Sequence, residues 1–377
     1  MKTNAMKMFG LGAPIFAFSH CRDVVAAVSR AGGMGVLGTT HVTPEQLDVE
    51  LAWLDEHTED KDYGVDLMFA SNARAEFEGM KINDVDKYIP DEHRKFVDDL
   101  MKKHNVPELP LGEREEVFKE YMRGMIRTHK SAEARLEVLL NHPKVKVMAS
   151  ALGVPPASVM DKCHERGLKV IGMVGRAKHV RRHKEAGVDV IVSAGYEAGG
   201  HVGEIAGLVL TPQVVEEAGE TPVLHAGGIA RGKQIAAAIA LGAQGVWTGT
   251  IWLGTSEAET TPLVKEKIFA ATSGDTVRSK CGTGHPARRL RSAWVEAWEA
   301  DDAPKALPMP LQSILVNEAL ERMDRYQPRE LVSYPAGQGV GMMHEQSDVR
   351  SMFIELLTEF GETMESMSSF YDDIKKG

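Results

Sequence analysis

Three glycine-rich segments hold the residues whose types and spacing could do chemistry: SAGYEAGGHVGE at 193–204, HAGGIARGKQ at 225–234 and WTGTIWLGT at 247–255. In the second, Gly227 and Gly228 precede a helix start and leave backbone N–H groups exposed. Gly249 and Thr250 in the third add more, and together these amides could cradle an anion such as a phosphate. Tight packing of a helix on a strand favours the same glycines, so both uses stay open. In the first segment, His201 follows Gly199 and Gly200, where small residues admit a planar ligand beside an imidazole that can exchange protons near neutral pH. The alternative is a histidine that is merely polar surface.

Other candidates carry less. GMGVLG at Gly33–Gly38 matches the dinucleotide fingerprint GxGxxG letter for letter, but a helical pattern precedes it where a strand is required. No GxxxxGK[ST] loop and no HExxH pattern occurs. His179 and His183 have metal-compatible i, i+4 spacing, yet they stand in the basic run KHVRRHK, which reads as a solvated helix face, so no metal site is expected. His20 and Cys21, after the first apolar run, could line the same site.

The elements that would position these residues repeat. Four times an amphipathic helical pattern ends in a glycine and a short apolar run follows, with Gly32, Gly167, Gly187 and Gly242 at the left-handed helix ends. Candidate strands fall at 14–18, 35–37, 64–68, 145–149, 170–173, 188–193, 222–226 and 245–248. Eight strands with intervening helices predict an α/β fold, a closed (β/α)8 TIM barrel, whose reactive residues sit at the C-terminal ends of the strands. Two stretches depart from the repeat. Residues 76–131 read as a charged helical insertion and the chain from about 262 onward as several helices. The expected division is therefore a barrel from 1–75 and 132–262, with 76–131 and 263–377 as a helical lid, side layer or subunit interface.

Composition narrows the partners. The chain has 377 residues and a formal charge of −10, with 43% hydrophobic and 26% charged residues. These are values of a soluble globular enzyme, and the acidic balance argues against nucleic acid or an anionic membrane as partner. A small-molecule substrate is the expectation. Three widely spaced cysteines, Cys21, Cys163 and Cys281, suggest neither a disulfide framework nor a thiolate metal site and fit a cytoplasmic protein. The apolar stretch 9–18 looks like a signal peptide, but Gly10, Gly12 and Pro14 break it, and no run approaches the ~20 residues of a membrane span.

The sequence resembles the nitronate monooxygenase family, the 2-nitropropane dioxygenase-like flavoproteins. The resemblance is carried by AGGMGVLG, GVDL, GYEAGGHVGE, HAGGIARG, WTGTIWLGTSEA and the later GTGHPARRLR. It implies a TIM barrel that uses FMN. Phosphate-binding positions would fall on Gly227, Gly228 and Gly249, with Thr250 beside them and Trp247 and Thr248 leading in. The flavin-facing small loop would fall on Gly199 and Gly200, the general base on His201, and the ring border on Ala17 and Phe18. Two positions depart from the family pattern: Asp66 stands where asparagine is common and Ala194 where glutamine often occurs, which bears on hydrogen bonds to the flavin pyrimidine edge.

The implied activity is FMN-dependent oxidation of nitronates or nitroalkanes by oxygen, giving a carbonyl compound and nitrite. Two readings compete. One is a reductase that takes hydride from NAD(P)H for a quinone or enoyl thioester; the other is a non-flavin barrel that holds a phosphorylated metabolite. A homo-oligomer is compatible with all three.

Overall fold

In the computed structural model the described residues are 2–39, 42–67, 87–125, 129–151 and 153–376. Eight parallel strands form a closed barrel: β1 Ile15–Ser19, β2 Met34–Gly38, β3 Tyr63–Asp66, β4 Val145–Ser150, β5 Lys169–Val174, β6 Val190–Ala194, β8 Val223–Ala226 and β9 Gly245–Thr248. Closure is made by β1, which pairs with β2 through Ala17↔Gly35 and with β9 through Ala17↔Thr248. All eight expected strands are present, shifted at their ends by a residue or two; Met68, expected to end the third, lies outside the described residues.

Strand alternation sorts the side chains into two layers. Phe16, Met34, Val36, Val147, Ile171, Val190, Val192, Leu224 and Trp247 fill the barrel interior. Their neighbours in sequence, such as Ile15, Ala17, Ile191 and Val246, face the surrounding helices. The helix ends behave as the sequence predicts: Gly32, Gly167, Gly187 and Gly242 all have positive φ, between +74° and +97°. A side chain there would cost about 1–2 kcal/mol in a left-handed backbone.

The apparent dinucleotide fingerprint is a packing device. A Cβ on Gly35 would lie 2.2 Å from the carbonyl oxygen of Val25, because the helix Arg22–Arg30 rests directly on β2. The stretch that looks like a signal peptide is built into the barrel. The short helix Asn4–Met8 places Ala5 and Met6 with Leu11 against Phe16 and Met34, closing the barrel end opposite the glycine-rich loops. Thr3 Oγ1 donates to the carbonyl oxygen of Gln244 at 2.7 Å and fastens this plug.

The remaining chain forms an accessory layer. The helix Asp91–Lys103 of the insertion and the helices Ala293–Glu299 and Leu311–Tyr326 share one core, with Val97, Met101, Trp294, Trp298, Val316 and Met323 in contact. Arg322 ties the two segments by donating to the carbonyls of Val106 and Pro107 at 2.6 and 2.7 Å.

Two sequence expectations need correction. The chain after 262 is not purely helical. It contains the hairpin β10 Thr276–Ser279 and β11 Ala287–Leu290, joined by β7 Gly200–His201 into a three-stranded antiparallel sheet. TVRS and ARRL are short and hold three arginines among eight residues, so they lack the apolar alternation by which a strand is recognised. The boundary at 262 also cuts the barrel layer. The C-terminal helix Val349–Lys376 packs Val349, Phe353 and Leu356 against Val24, Val28 and Ile235, completing the helical ring. Among the described residues no helix is long and apolar enough to cross a membrane.

Candidate active site

The C-terminal ends of the barrel strands open into a cavity of about 1690 Å³. Its floor is supplied by Phe18, Asp66, Ala194, Ala226 and Trp247, and its sides by the loops after β6, β8 and β9. The accessory layer provides the upper wall, through Tyr121 and Met122 of the insertion and Ser279, Thr283, His285 and Arg289 of the hairpin.

The residues expected to cradle an anion lie on two loops. None of the described residues accepts from the amides of Gly227, Gly228, Gly249 or Thr250, which leaves four donors at the mouth of the cavity. Gly227 and Gly228 have φ of +123° and +69°, a backbone open to glycine and strained for other residues. Gln234 holds this loop in shape. Its Oε1 accepts from the amides of Ala230 and Arg231 at 2.7 and 2.9 Å, while its Nε2 donates to the carbonyl of Gly228 at 2.8 Å.

The first amide of the following helix is already engaged. The amide of Gly232 donates to Glu359 Oε2 of the C-terminal helix at 2.6 Å, so a side-chain carboxylate already occupies that helix N-terminus.

His201 is anchored from two sides. Its backbone pairs with Ala287 of β11, so the expected loop is a short strand. Its Nε2 lies 2.8 Å from Thr283 Oγ1, and its ring meets His285 edge to face with centroids 6.3 Å apart. The loop leading to it is fixed by Glu197, whose carboxylate accepts from the Gly207 amide at 2.9 and 3.0 Å. Arg288 stacks its guanidinium over Tyr196 at 4.3 Å and donates to that residue's carbonyl at 3.0 Å. Gly199 is required by close approach, since a Cβ there would lie 2.8 Å from the Gly337 amide nitrogen.

Other expected residues have definite places. Trp247 is buried in the barrel interior and stacks on Phe18 at 6.2 Å. Thr248 lines the cavity, but its hydroxyl is engaged, donating to the Phe16 carbonyl at 3.0 Å and accepting from Trp252 Nε1 at 2.9 Å. Thr250 Oγ1 accepts from the Gly337 amide at 2.8 Å. Asp66 is buried on the floor, where its Oδ1 accepts from the Ala151 amide at 3.3 Å.

Ala17 does not reach the cavity. Alternation along β1 turns Phe16 and Phe18 inward and Ala17 outward, against Cys21, Val24 and Val28. His179 and His183 do not converge either: His183 is buried against Gly172 of β5 and donates Nδ1–H to the carbonyl of His179 at 2.9 Å.

Comparison with known proteins places this geometry. Residues 2–359 match the family described as nitronate monooxygenase. The chain belongs to that family. It is 46% identical over 371 residues, covering 97% of this chain and 98% of the relative, to a Mycobacterium tuberculosis protein named "Putative monooxygenase Rv1533". Among solved structures, FabK from Thermotoga maritima is 26% identical with a TM-score of 0.71, covering 98% of this chain and 99% of its own. A nitroalkane oxidase from Streptomyces ansochromogenes is 24% identical with a TM-score of 0.78, covering 96% and 99%, and shares the fold. This nitronate monooxygenase family member is thus a TIM-barrel oxidoreductase of a flavoenzyme family.

For this family member, sequence reasoning missed the hairpin residues Thr283, His285 and Arg289. GTGHPARRLR was visible as a motif, but nothing in its spacing says that it returns to His201 across 80 residues. Gln234 and Glu197 were missed because their work is to fix loops, which leaves no chemical signature in sequence.

Proposed function

We propose that this protein is an FMN-dependent oxidoreductase that converts nitronates or nitroalkanes, with oxygen, into carbonyl compounds and nitrite. The observation that carries the reading is four unengaged loop amides at the C-terminal mouth of the barrel, with Gly199, Gly200 and His201 across the same cavity. That donor set suits one phosphate, and no second dinucleotide fingerprint accompanies it, which favours FMN over a dinucleotide flavin. Bound FMN would supply the electron acceptor that a carbon acid needs.

The protein's own groups do the rest. Gly227, Gly228, Gly249 and Thr250 hold the phosphate, while Ala194, Gly199 and Gly200 leave room for a flat ring. His201 removes the proton from the carbon bearing a neutral nitro group; a nitronate arrives without it. Tyr121, Met122 and the hairpin restrict water at the mouth. A cytoplasmic setting is supported by three free, buried cysteines.

One observation favours a second reading, an NAD(P)H-dependent reductase of a quinone or enoyl thioester. The cavity exceeds the ~300–1,000 Å³ of an ordinary small-ligand pocket and has room for a bulkier partner than a nitroalkane.

The purified protein should be yellow with flavin absorbance. Mixed anaerobically with a nitronate it should bleach, and NAD(P)H should leave it oxidised. Bleaching by NAD(P)H alone would select the reductase, and a colourless protein that takes up no FMN would sink both readings. Gly228→Leu puts a side chain on a backbone at φ +69° beside the proposed phosphate, and should give folded protein that does not retain FMN.

A further inference from the structure

A second imidazole lines the cavity. His20 follows β1, which stands three strands along the barrel from β6, in the order β6, β8, β9, β1. The ring is fixed before any ligand arrives. Its Nδ1 lies 2.9 Å from the carbonyl oxygen of Gly38, and it meets Phe18 edge to face with centroids 5.1 Å apart. A Cβ on Gly38 would lie 2.8 Å from the ring's Cε1 and Nδ1, so glycine at the end of β2 is what lets the imidazole lie so close. The bond to Gly38 also sets the tautomer. A carbonyl oxygen only accepts, so Nδ1 carries the proton and Nε2 keeps a lone pair. Desolvation by the surrounding protein lowers the pKa of the ring, which is therefore uncharged at neutral pH. Among the described residues none donates to Nε2, although His20 keeps exposed surface. An ordinary surface histidine needs neither a locked tautomer nor a glycine beneath it.

We propose that His20 is a specificity residue whose Nε2 accepts a hydrogen bond from a hydroxyl or N–H group of the substrate, away from the carbon that His201 deprotonates. The substrate class is then a nitro compound or nitronate with a hydrogen-bond donor on its chain, an identification that rests on the function proposed above. The surroundings select a donor. The cavity is larger than a simple nitroalkane fills, and such a substrate would leave the lone pair to water. An anionic tail would be repelled, because Glu259 also lines the cavity and its carboxylate lies within 4.8 Å of Sγ of the adjacent Cys21. A metal ion would require further ligands. The metal-compatible grouping among the described residues, Cys21, Asp23 and Glu259, does not include His20.

The test compares nitronates in matched pairs on the flavin-loaded protein, ω-nitroalkanols against nitroalkanes of the same chain length. For at least one length the hydroxylated member should have a kcat/KM about tenfold higher, the worth of one hydrogen bond to a preformed acceptor, and the gain should lie in KM rather than kcat. His20→Asn keeps a side-chain N–H for the Gly38 carbonyl and removes Nε2, so the ratio within that pair should fall to about one. His20→Gln, whose longer amide reaches the place of Nε2, should restore part of it.

FMN carries hydroxyl and N–H donors of its own, and fluorescence titration of the cofactor-free proteins with FMN tells the two sources apart. The dissociation constant of His20→Asn should stay close to that of the parent. Three results would each overturn the proposal: equal kcat/KM within every pair for the parent, a His20→Asn protein that keeps the parent's ratio, or a loss of FMN affinity in place of the lost ratio. If NAD(P)H bleaches the flavin and nitronates do not, the nitronate reading fails by itself. The same comparison made with hydroxyalkyl and alkyl quinones then decides the role of His20 by the same ratio.

Discussion

His201 gains its position from residues far away in sequence, and its expected behaviour follows from them. A neutral nitroalkane must lose a proton before it can give up electrons, whereas a nitronate is already an anion. His201→Asn should therefore lower kcat/KM for the neutral substrate by ~10²–10⁴-fold, the usual value of a general base, and spare the nitronate much more. Steady-state rates on the paired substrates at one pH check this, and equal losses on both would leave His201 as a binding group only. Thr283 holds the imidazole through a 2.8 Å contact between its hydroxyl and Nε2. Thr283→Val keeps the shape and removes the hydroxyl, so it should cost the neutral substrate about tenfold, within the worth of one hydrogen bond to a group that becomes charged. The limb of the pH profile assigned to His201 should shift, and Thr283→Ser should restore both. An unmoved profile would show that the hydroxyl does not tune the ring.

At the scale of elements, the proposed phosphate cradle is a loop held open from behind. Three hydrogen bonds from the one Gln234 side chain fix the backbone between Gly228 and Arg231, so the amides facing the cavity are aligned before any ligand arrives. Preorganisation of this kind spares a ligand the cost of ordering the loop. Gln234→Leu, of similar volume, should weaken FMN binding by about tenfold to a hundredfold, corresponding to one or two lost hydrogen bonds at about 1 kcal/mol each plus loop ordering. Fluorescence titration of the cofactor-free protein with FMN measures it, and an unchanged dissociation constant would mean that the loop keeps its shape without the side chain. The neighbouring contact between Gly232 and Glu359 has a different task. It satisfies a helix N-terminus and locks the C-terminal helix onto the ring.

Across the whole molecule, stability depends on histidines kept neutral by burial. His20, His183 and His225 all have their pKa lowered, in each case chiefly by desolvation. His225 bonds through Nδ1 to Thr211 Oγ1 at 2.7 Å, and that hydroxyl meets Ser193 Oγ at 3.1 Å, a chain made for an uncharged ring. The unfolded chain, with imidazoles near pKa 6.5, takes up protons that the folded protein refuses. Stability is thus full above about pH 6.5 and declines as pH falls toward the lowered folded values. The melting temperature should drop between about pH 7.5 and 5.5, and His225→Gln should melt lower at neutral pH yet lose less on acidification. A variant with the parent's full pH slope would remove His225 from this account.

The barrel was legible in the sequence because its causes are local. Glycines at helix ends, apolar runs buried on both faces and alternation along each strand depend on neighbours a few residues apart, so the eight strands, the four left-handed glycines and the three glycine-rich segments could be read directly. His201 could be singled out for the same reason, since it follows a glycine pair just past the end of β6. What the sequence left undecided depends on contacts between distant segments. Only the folded chain shows that β11 returns to pair with His201, that Ala17 turns outward where Phe18 turns inward, and that Glu359 occupies the start of the helix after Gly228. It also shows the last helix completing the barrel ring. Each of these is a choice among partners equally compatible with local pattern, and packing in three dimensions makes it.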